Sequence, residues 1–228
     1  MFVRKQYANS ILENLPRADF ASLSTGLKEV KLLKGEPLFE PDIPAADIYF
    51  PVDSVISFMG DTGEGGSVEV WSVGSEGVAG LSGILGRSKP FRGVVQVSGQ
   101  ALVSKDVVMR RCFQNCSAFH EAILAYCDNL ILQISYLAIC NNLHPIEQRF
   151  CRWLLMVRDR ARTNELKFTQ ESIAAVLGTR RATISEAAAA LQNAGLISYT
   201  PGSITIRSRK ALEKAACRCY KLINARKT

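Results

Sequence analysis

One stretch decides the fold of the last third of this chain: Thr169-Gln-Glu-Ser-Ile-Ala-Ala-Val-Leu-Gly-Thr-Arg-Arg-Ala-Thr-Ile-Ser-Glu-Ala-Ala-Ala-Ala-Leu191. When Gln170 is counted as the first residue, Ala174 is the fifth, Gly178 the ninth and Ile184 the fifteenth. A small fifth residue lets two helices approach, a glycine at the ninth position permits a tight turn, and a branched fifteenth residue locks the second helix onto the first. The spacing predicts a helix-turn-helix.

The residues on either side extend this motif. Thr169 is a good N-cap, and Glu171 lies in the first turn, where the helix dipole favours an acidic side chain. The segment Gly195-Leu-Ile-Ser-Tyr-Thr-Pro-Gly-Ser-Ile-Thr-Ile206 then predicts two short strands around a turn at Thr200-Pro-Gly-Ser203. An unrelated helical hairpin has the same triplet spacing in some proteins, but the added strands favour a winged helix.

The charge of the chain is concentrated in the same region. Residues 1–150 hold 13 Lys/Arg and 16 Asp/Glu, whereas residues 151–228 hold 15 Lys/Arg and 5 Asp/Glu. The net charges of −3 and +10 place a strongly basic surface on the C-terminal part, which is typical of a nucleic-acid-binding domain. The alternative is a basic surface that serves only solubility. With the motif and the wing, DNA binding is the favoured interpretation.

The N-terminal part has a different pattern. Thirteen of the 16 glycines fall between Gly26 and Gly99, among short β-branched runs such as Val68-Glu-Val-Trp-Ser-Val73 and Val94-Val-Gln-Val97. Short strands separated by glycine-rich turns predict a sandwich or jelly-roll barrel. A short helix from about Ser10 to Leu23 is expected before it.

The glycine-free region that follows predicts a long helix with two apolar faces. One face is a seam with heptad spacing, and a second apolar set lies off it. We expect the seam to pair with the same helix of a second subunit and the other face to cover the barrel; the alternative is a helix buried within a monomer. The predicted dimerisation residues are Ile123, Cys127, Leu130, Ile134 and Leu137, and the second set is Leu124, Ile131, Leu132, Tyr136 and Ile139.

Pro145 interrupts this helix, which predicts a hinge over Asn141–Pro145. A further helix from about Ile146 to Ala161 is expected after it, packed through Phe150, Trp153, Leu154 and Val157.

Several classes of protein are disfavoured. The N-terminus lacks an apolar run long enough for a signal peptide, and no segment is expected to span a membrane, so a cytoplasmic location is predicted. The chain shows no Ser/His/Asp or Cys/His set and no phosphate-binding loop, so we expect no catalytic residues and no enzyme.

The seven cysteines form an odd set without an export signal, which favours free thiols over disulfides. A zinc site would depend on Cys112/Cys116 or Cys217/Cys219, and neither pair has a second partner pair at the usual spacing. The sequence therefore predicts no metal ligands. Oxidant sensing by Cys112 and Cys116 is an alternative to inert thiols.

With these features in place, the chain resembles the Crp/Fnr superfamily of bacterial transcription regulators over almost its whole length. The segments that carry the resemblance are Leu32-Leu-Lys-Gly-Glu-Pro-Leu38, Ile48-Tyr-Phe-Pro51, Val73-Gly-Ser-Glu-Gly77, Glu147-Gln-Arg-Phe-Cys-Arg-Trp-Leu-Leu155 and the winged helix. The resemblance implies an α+β chain with three parts. These are a cyclic-nucleotide-binding-type β jelly roll over residues 1–115, a dimerisation helix and hinge over residues 116–144, and a winged helix-turn-helix DNA-binding domain over residues 145–228.

The resemblance also assigns DNA contacts. Arg181 matches the family arginine that reads a guanine, and Thr169 and Gln170 match positions near the phosphate backbone, with Thr183 expected to act likewise. The second helix presents Arg180, Arg181 and Ser185 outward. Two positions differ from the cAMP receptor branch, since Ala182 replaces a base-reading glutamate and Glu186 replaces a second arginine. A different operator is therefore expected, and Glu186 either accepts from a cytosine or repels phosphate.

The barrel carries a degraded version of the family's cyclic-nucleotide cassette. Gly74-Ser-Glu76 stands in place of adjacent Gly-Glu, and Arg92-Gly93 or Arg87-Ser88 stands in place of the arginine pair. Ser135 lies about where family members touch the base. Gly74, Glu76, Arg87, Arg92 and Ser135 are the candidate ligand residues, but no cofactor is assigned, because a barrel kept for folding and dimerisation, or one for another ligand, fits as well.

Two functions from different classes remain. The first is a homodimeric regulator that reads a roughly two-fold site in double-stranded DNA and contacts RNA polymerase. The second is a cyclic-nucleotide-binding module that acts on a protein partner through its basic tail. The helix-turn-helix triplet with its wing favours the first, because contact with a protein does not require that pattern.

Overall fold

A computed structural model describes residues 9–61, 63, 66–87 and 90–225. The chain divides into two compact units, one formed by Met1–Phe58 with Ser72–Leu130 and the other by Met59–Trp71 with Ile131–Thr228. The division predicted from the sequence follows expected role and not contacts. Its three ranges therefore stay a prediction: 1–115, 116–144 and 145–228.

The first unit is built on a β-barrel. Its helices are α1 (Ser10–Glu13), α2 (Arg17–Ser24), α3 (Leu81–Leu85) and α4 (Asp106–Asn115). The strands are β1 (Lys28–Leu32), β2 (Pro37–Phe39), β3 (Asp47–Pro51), β4 (Val55–Asp61), β5 (Ser67–Val73), β6 (Phe91–Val97) and β7 (Gly99–Lys105). Residues 59–61 at the end of β4 and residues 67–71, most of β5, belong to the second unit.

The strands form two sheets of order β1-β7-β3 and β2-β6-β4-β5. In the first, β7 pairs antiparallel with both neighbours, so that Lys28 lies opposite Val103 and Asp47 opposite Lys105. Ile48, Phe50, Val55 and Ile56 in these strands are completely buried. This confirms the predicted jelly roll. The predicted N-terminal helix is two helices, because Pro16 begins α2 as its N-cap and cannot continue α1.

The long helix α5 (Ser117–Leu143) follows α4. Its N-terminal half packs on the first unit through Phe119, Ile123 and Tyr126, which are buried. Gly77 makes this close approach possible, since a Cβ there would lie 2.1 Å from the Tyr126 ring. The sequence predicted the existence of this helix and its two apolar faces.

The predicted assignment of the two faces needs correction. Ile123 and Leu137 of the predicted dimer seam are buried within the single chain, and Cys127, Leu130 and Ile134 are half-buried. The exposed apolar side chains of α5 are instead Leu124 (50% exposed), Ile131 (65%), Ile139 (46%) and Leu143 (73%). Both faces are apolar, so heptad spacing alone could not tell which one the chain covers itself.

By length and composition α5 is the one helix among the described residues that qualifies as a membrane span, with 27 residues. The expectation that no segment approaches a span is therefore wrong on this criterion. The criterion is weak evidence for a membrane, because a helix of a soluble protein passes it too. The two apolar faces of α5 account for its high apolar content.

The second unit contains α6 (Ile146–Ala161), β8 (Glu165–Leu166), α7 (Gln170–Leu177), α8 (Arg181–Asn193), β9 (Ile197–Thr200), β10 (Ser203–Ile206), α9 (Arg209–Ala215) and α10 (Cys219–Asn224). Its sheet has the order β8-β10-β9. The α6 core residues Phe150, Trp153, Leu154 and Val157 are all buried, as predicted. The predicted hinge is shorter than expected, because α5 runs through Asn141 to Leu143 and only His144 and Pro145 precede α6.

Candidate nucleic-acid interface

The first helix of the motif is fixed at both ends. At its start, the Thr169 hydroxyl accepts from the Ser172 N–H at 3.1 Å, and the Ser172 hydroxyl accepts from the Thr169 N–H at 3.1 Å. This reciprocal capping box confirms Thr169 as the N-cap of α7. At its end, Gly178 adopts φ +59 and donates its N–H to the Ala174 and Ala175 carbonyls. A left-handed residue at this position makes the sharp turn into α8.

The helix-turn-helix triplet packs as predicted. Ala174 and Ile184 are buried, and Gly178 forms the turn between them. A further residue, which the sequence did not single out, supports the turn: the Arg149 guanidinium of α6 donates to the Leu177 carbonyl at the end of α7. A cation there also opposes the negative end of the helix dipole. Arg149 is a positioning residue for the motif.

The beginning of α8 presents the predicted recognition side chains to solvent. Arg180 is the N-cap and Arg181 the first helical residue, and both are exposed, as are Ser185 and Glu186 one turn further on. Thr183 is half-buried. The Gln170 amide donates to the Ser185 hydroxyl at 3.4 Å, which joins the start of α7 to this face. Arg180, Arg181, Ser185 and Glu186 are therefore open to solvent at the start of α8.

The two arginines on this surface differ from four other arginines of the unit, namely Arg152, Arg158, Arg160 and Arg209. Among the described residues, Arg180 and Arg181 have no ion-pair partner, while Arg158 and Arg209 both pair with Asp159, at 3.1 and 3.4 Å. Arg152 and Arg160 are buried. Part of the +10 charge seen in the sequence is thus used inside the fold. The start of α8 keeps two exposed guanidiniums.

The wing is a two-stranded hairpin. Ser203 lies opposite Thr200 across β9 and β10, and Gly202 has φ +80 in the turn that Pro201 opens. These angles and residues are those of a type II turn. The Tyr199 N–H donates to the Gln192 side-chain carbonyl at 2.7 Å, which ties the wing to the end of α8. The predicted wing is confirmed, and β8 adds a third strand that the sequence did not predict.

Residues 148–215 match the family model of the Crp-like helix-turn-helix domain. This segment of the chain is a Crp-like helix-turn-helix domain. No curated protein sequence matches it. The predicted resemblance is confirmed, and with it the DNA-binding character of the C-terminal part.

Solved structures share the fold over most of their length. FixK2 from Bradyrhizobium japonicum is 17% identical, with 84% of this chain and 98% of FixK2 covered and a TM-score of 0.71. A Crp/Fnr-family transcriptional regulator from Thermus thermophilus is 15% identical, with 83% and 98% covered and a TM-score of 0.69. The c-di-GMP-responsive regulator CLP from Xanthomonas campestris is 13% identical, with 85% and 100% covered and a TM-score of 0.68. At these identities the likeness establishes the fold alone.

The candidate ligand residues of the Crp/Fnr barrel lie in several environments. Arg92 is exposed in β6 and forms an ion pair with Glu40 at 3.5 Å. Arg87 is exposed just after α3, and Ser88 lies outside the described residues. Gly74 is buried and Glu76 half-buried in the loop after β5. The Ser135 hydroxyl donates to the Ile131 carbonyl within α5.

These contacts weaken the ligand assignment. An arginine that must hold a phosphate is less available when a carboxylate already pairs with it. The Ser135 hydroxyl can still accept a hydrogen bond, but its donor is used within the helix. The five residues stay a prediction.

A partly buried polar network joins α6, α9 and α10 and was not found from the sequence. The Tyr220 hydroxyl of α10 donates to the Asp159 carboxylate of α6 and accepts from the Arg209 guanidinium of α9 at 3.0 Å. Burial and the Asp159 carboxylate raise the pKa of Tyr220 to about 12. Its three members lie 61 and 11 residues apart, so no local pattern signals them. The network fastens the C-terminal helices to α6.

Proposed function

We propose that this Crp/Fnr regulator binds double-stranded DNA as a homodimer and reads a roughly two-fold operator through the beginning of α8. The observation that carries the proposal is the exposed surface formed by Arg180, Arg181, Ser185 and Glu186, on a helix whose N-terminal end is held by the motif turn. A helix presented in this way fits the major groove, where each base pair has a distinct pattern of donors and acceptors.

Arg181 is the base-reading residue in this proposal. Its guanidinium is exposed at the first position of α8, and a guanidinium fork matches the O6 and N7 acceptors of guanine. Glu186 lies five residues further along the helix, near the same groove, and disfavours close approach to phosphate. Ala182, which is exposed between them, leaves room for a base pair without specifying one.

Phosphate contacts fix the helix in the groove. The Thr169 hydroxyl is already used by the capping box, so its side chain positions α7 rather than binding the duplex itself. The first N–H groups of α7, with Gln170 beside them, are the anion-binding element at this point. Arg180 and Thr183 supply the corresponding contacts at the start of α8.

The dimer forms through the exposed apolar face of α5 in this proposal. Leu124, Ile131 and Ile139 are each roughly half exposed or more, which is costly for a helix in water. A second copy of the same helix covers the face symmetrically and places two recognition helices on one duplex. Operator half-sites about one helical turn apart follow from this arrangement.

The barrel does not bind cAMP through the family cassette in this proposal, because Gly74-Ser-Glu76 and Arg92-Gly93 depart from that cassette. An effector of another kind stays open, since one regulator with this fold, CLP from Xanthomonas campestris, responds to c-di-GMP. A cytoplasmic location and contact with RNA polymerase follow from the function proposed. The DNA-reading surface disfavours the alternative of a module that acts only on a protein.

Selection of genomic fragments by the purified, ligand-free protein tests the proposal. We expect enrichment of a two-fold motif at near-physiological salt, and none of that motif for Arg181→Ala. A motif without two-fold symmetry would contradict the homodimer. If neither protein enriches a motif, even when the selection is repeated with a panel of nucleotides, the proposed operator reading is wrong.

A further inference from the structure

Four side chains of types that ligate metals meet in the second unit, away from the DNA-reading surface: Cys140, His144, Cys217 and Cys219. One ligand atom from each lies within 4.8 Å of all the others. The Cys140 and Cys217 sulfurs are 3.4 Å apart, and the Cys219 sulfur is 3.7 Å from His144 Nδ1. The three cysteines are buried and the histidine is half-buried.

The fold brings these residues together from two short segments. Cys140 and His144 are four residues apart, and the His144 N–H still bonds to the Cys140 carbonyl at 3.1 Å, so both lie on one face at the end of α5. Cys217 lies in the connection from α9, and Cys219 begins α10. The Cys217 N–H donates to the Gln148 carbonyl of α6 at 3.5 Å, which holds this connection beside the start of α6.

We propose that Cys140, His144, Cys217 and Cys219 bind a single zinc ion in a tetrahedral Cys3His site. Zinc–sulfur bonds of about 2.3 Å and zinc–nitrogen bonds of about 2.0–2.1 Å place the ligand atoms of such a site about 3.5–3.8 Å from one another. The observed separations of 3.4 and 3.7 Å match that spacing. The remaining pairs of ligand atoms are at most 4.8 Å apart.

The surrounding charge favours the thiolate forms that a metal requires. Arg152 is 3% exposed, its Nε has no hydrogen-bond partner, and no carboxylate pairs with it among the described residues. A buried cation is costly unless an anion compensates it. The guanidinium acts on the Cys140, Cys217 and Cys219 sulfurs alike. Three thiolates around a dication carry one net negative charge, and Arg152 balances it.

Other occupants fit less well. An iron–sulfur cluster spreads its protein ligands over several irons, whereas these four atoms all lie within 4.8 Å of one another. A disulfide between Cys140 and Cys217 would leave Cys219 and His144 without a role. A zinc ion uses all four residues and fastens the end of α5 to α10 and to the α9–α10 connection. This inference does not depend on the proposed operator reading.

The test uses the full-length protein. Purified without chelator, it should carry one zinc per chain by native mass spectrometry. After the zinc is stripped, titration with Co²⁺ should give one equivalent with the visible bands of tetrahedral cobalt and thiolate-to-cobalt charge transfer. Cys219→Ser and His144→Ala should each weaken cobalt binding at least about tenfold. Loss of a residue that only supports a metal ligand already lowers metal affinity about tenfold or more, and loss of the ligand itself should lower it at least as much.

Cys127→Ser is the matched control, because Cys127 is a half-buried cysteine of α5 outside the cluster. It should bind cobalt as the wild type does. The proposal is overturned if the folded wild type takes up no cobalt with tetrahedral bands, or if Cys127→Ser lowers binding as much as Cys219→Ser. It is also overturned if thiol counting under non-reducing conditions shows Cys140 and Cys217 joined as a disulfide in the native protein.

Discussion

Arg181 and its neighbour Arg180 are both exposed at the start of α8. We expect Arg181 to contact a base and Arg180 to contact phosphate. Arg181→Ala should weaken binding to the operator by about 1–3 kcal/mol and leave binding to random DNA much less affected, because a base contact is lost. Competition fluorescence anisotropy with operator and random duplexes measures both affinities.

Arg180→Ala is the control for that experiment. If Arg180 contacts only phosphate, its loss should weaken all duplexes alike and reduce the slope of log K against log salt by about one. An equal loss on operator and random DNA for Arg181→Ala would remove its assigned role.

Tyr220 gives a prediction about pH. Its pKa is raised from 10.0 to about 12 in the folded chain, so between these values the unfolded chain loses the phenolic proton first. The contribution of Tyr220 to the unfolding free energy is therefore fully present below pH 10 and is lost as the pH rises toward 12. Tyr220→Phe removes that dependence.

The measurement is urea unfolding of both proteins across this range. The wild type should exceed Tyr220→Phe in unfolding free energy by about 1–2 kcal/mol below the window, since the hydrogen bond to Asp159 is lost in the variant. The difference should shrink as the pH rises through the window. A difference that stays constant throughout would show that the Asp159 contact does not govern the pKa of Tyr220.

Among the elements, the turn between α7 and α8 makes the sharpest demand on the backbone. Gly178 has φ +59, where any side chain other than asparagine or aspartate is strained. Gly178→Ala should lower the unfolding free energy by about 1–2 kcal/mol, and Gly178→Asn by less. Denaturant unfolding of the three proteins measures this. Equal losses for the two variants would mean that crowding, not backbone strain, decides the cost.

The exposed face of α5 is the element on which the dimer depends. Ile131→Lys places a charge in the centre of that face and should shift the protein toward monomer, because the charge would be buried in the interface. Sedimentation equilibrium detects the shift. Gln114→Lys, at an exposed position of α4, makes the same change of charge outside this face and should leave the mass unchanged. A wild-type monomer at micromolar concentration would contradict the dimer.

The elements that the sequence predicted well are those with local signals. The N-cap at Thr169, the turn at Gly178 and the Pro201-Gly202 hairpin each depend on residues within a few positions, and all are confirmed. The assignment of the two faces of α5 failed because both are apolar, and only the packing of Ile123 and Tyr126 distinguishes them.

Contacts between distant segments could not be predicted. The cysteine cluster joins Cys140 to Cys217 across 77 residues, and its pairs do not have the spacing of common zinc motifs. The Tyr220 network is similar in this respect. In both cases the residue types are visible in the sequence, but their neighbours depend on how α6, α9 and α10 pack.

On the scale of the whole molecule, the fold is shared with solved structures of Crp/Fnr regulators over most of the chain. The basic charge lies on the DNA-binding part, while residues 1–150 carry a net charge of −3. This separation favours approach of the C-terminal part to the polyanionic duplex and disfavours contact by the barrel. Recognition of the DNA base sequence is then expected to depend on a few side chains at the start of α8.

The most direct test of the central claim is a double-mutant cycle between Arg181 and the operator. Each base pair of the selected half-site is changed in turn, and the affinities of wild type and Arg181→Ala are measured by anisotropy at one near-physiological salt concentration. We predict one guanine position at which the change costs the wild type about 1–3 kcal/mol and costs Arg181→Ala almost nothing. If every base change costs both proteins the same, α8 does not read DNA through Arg181.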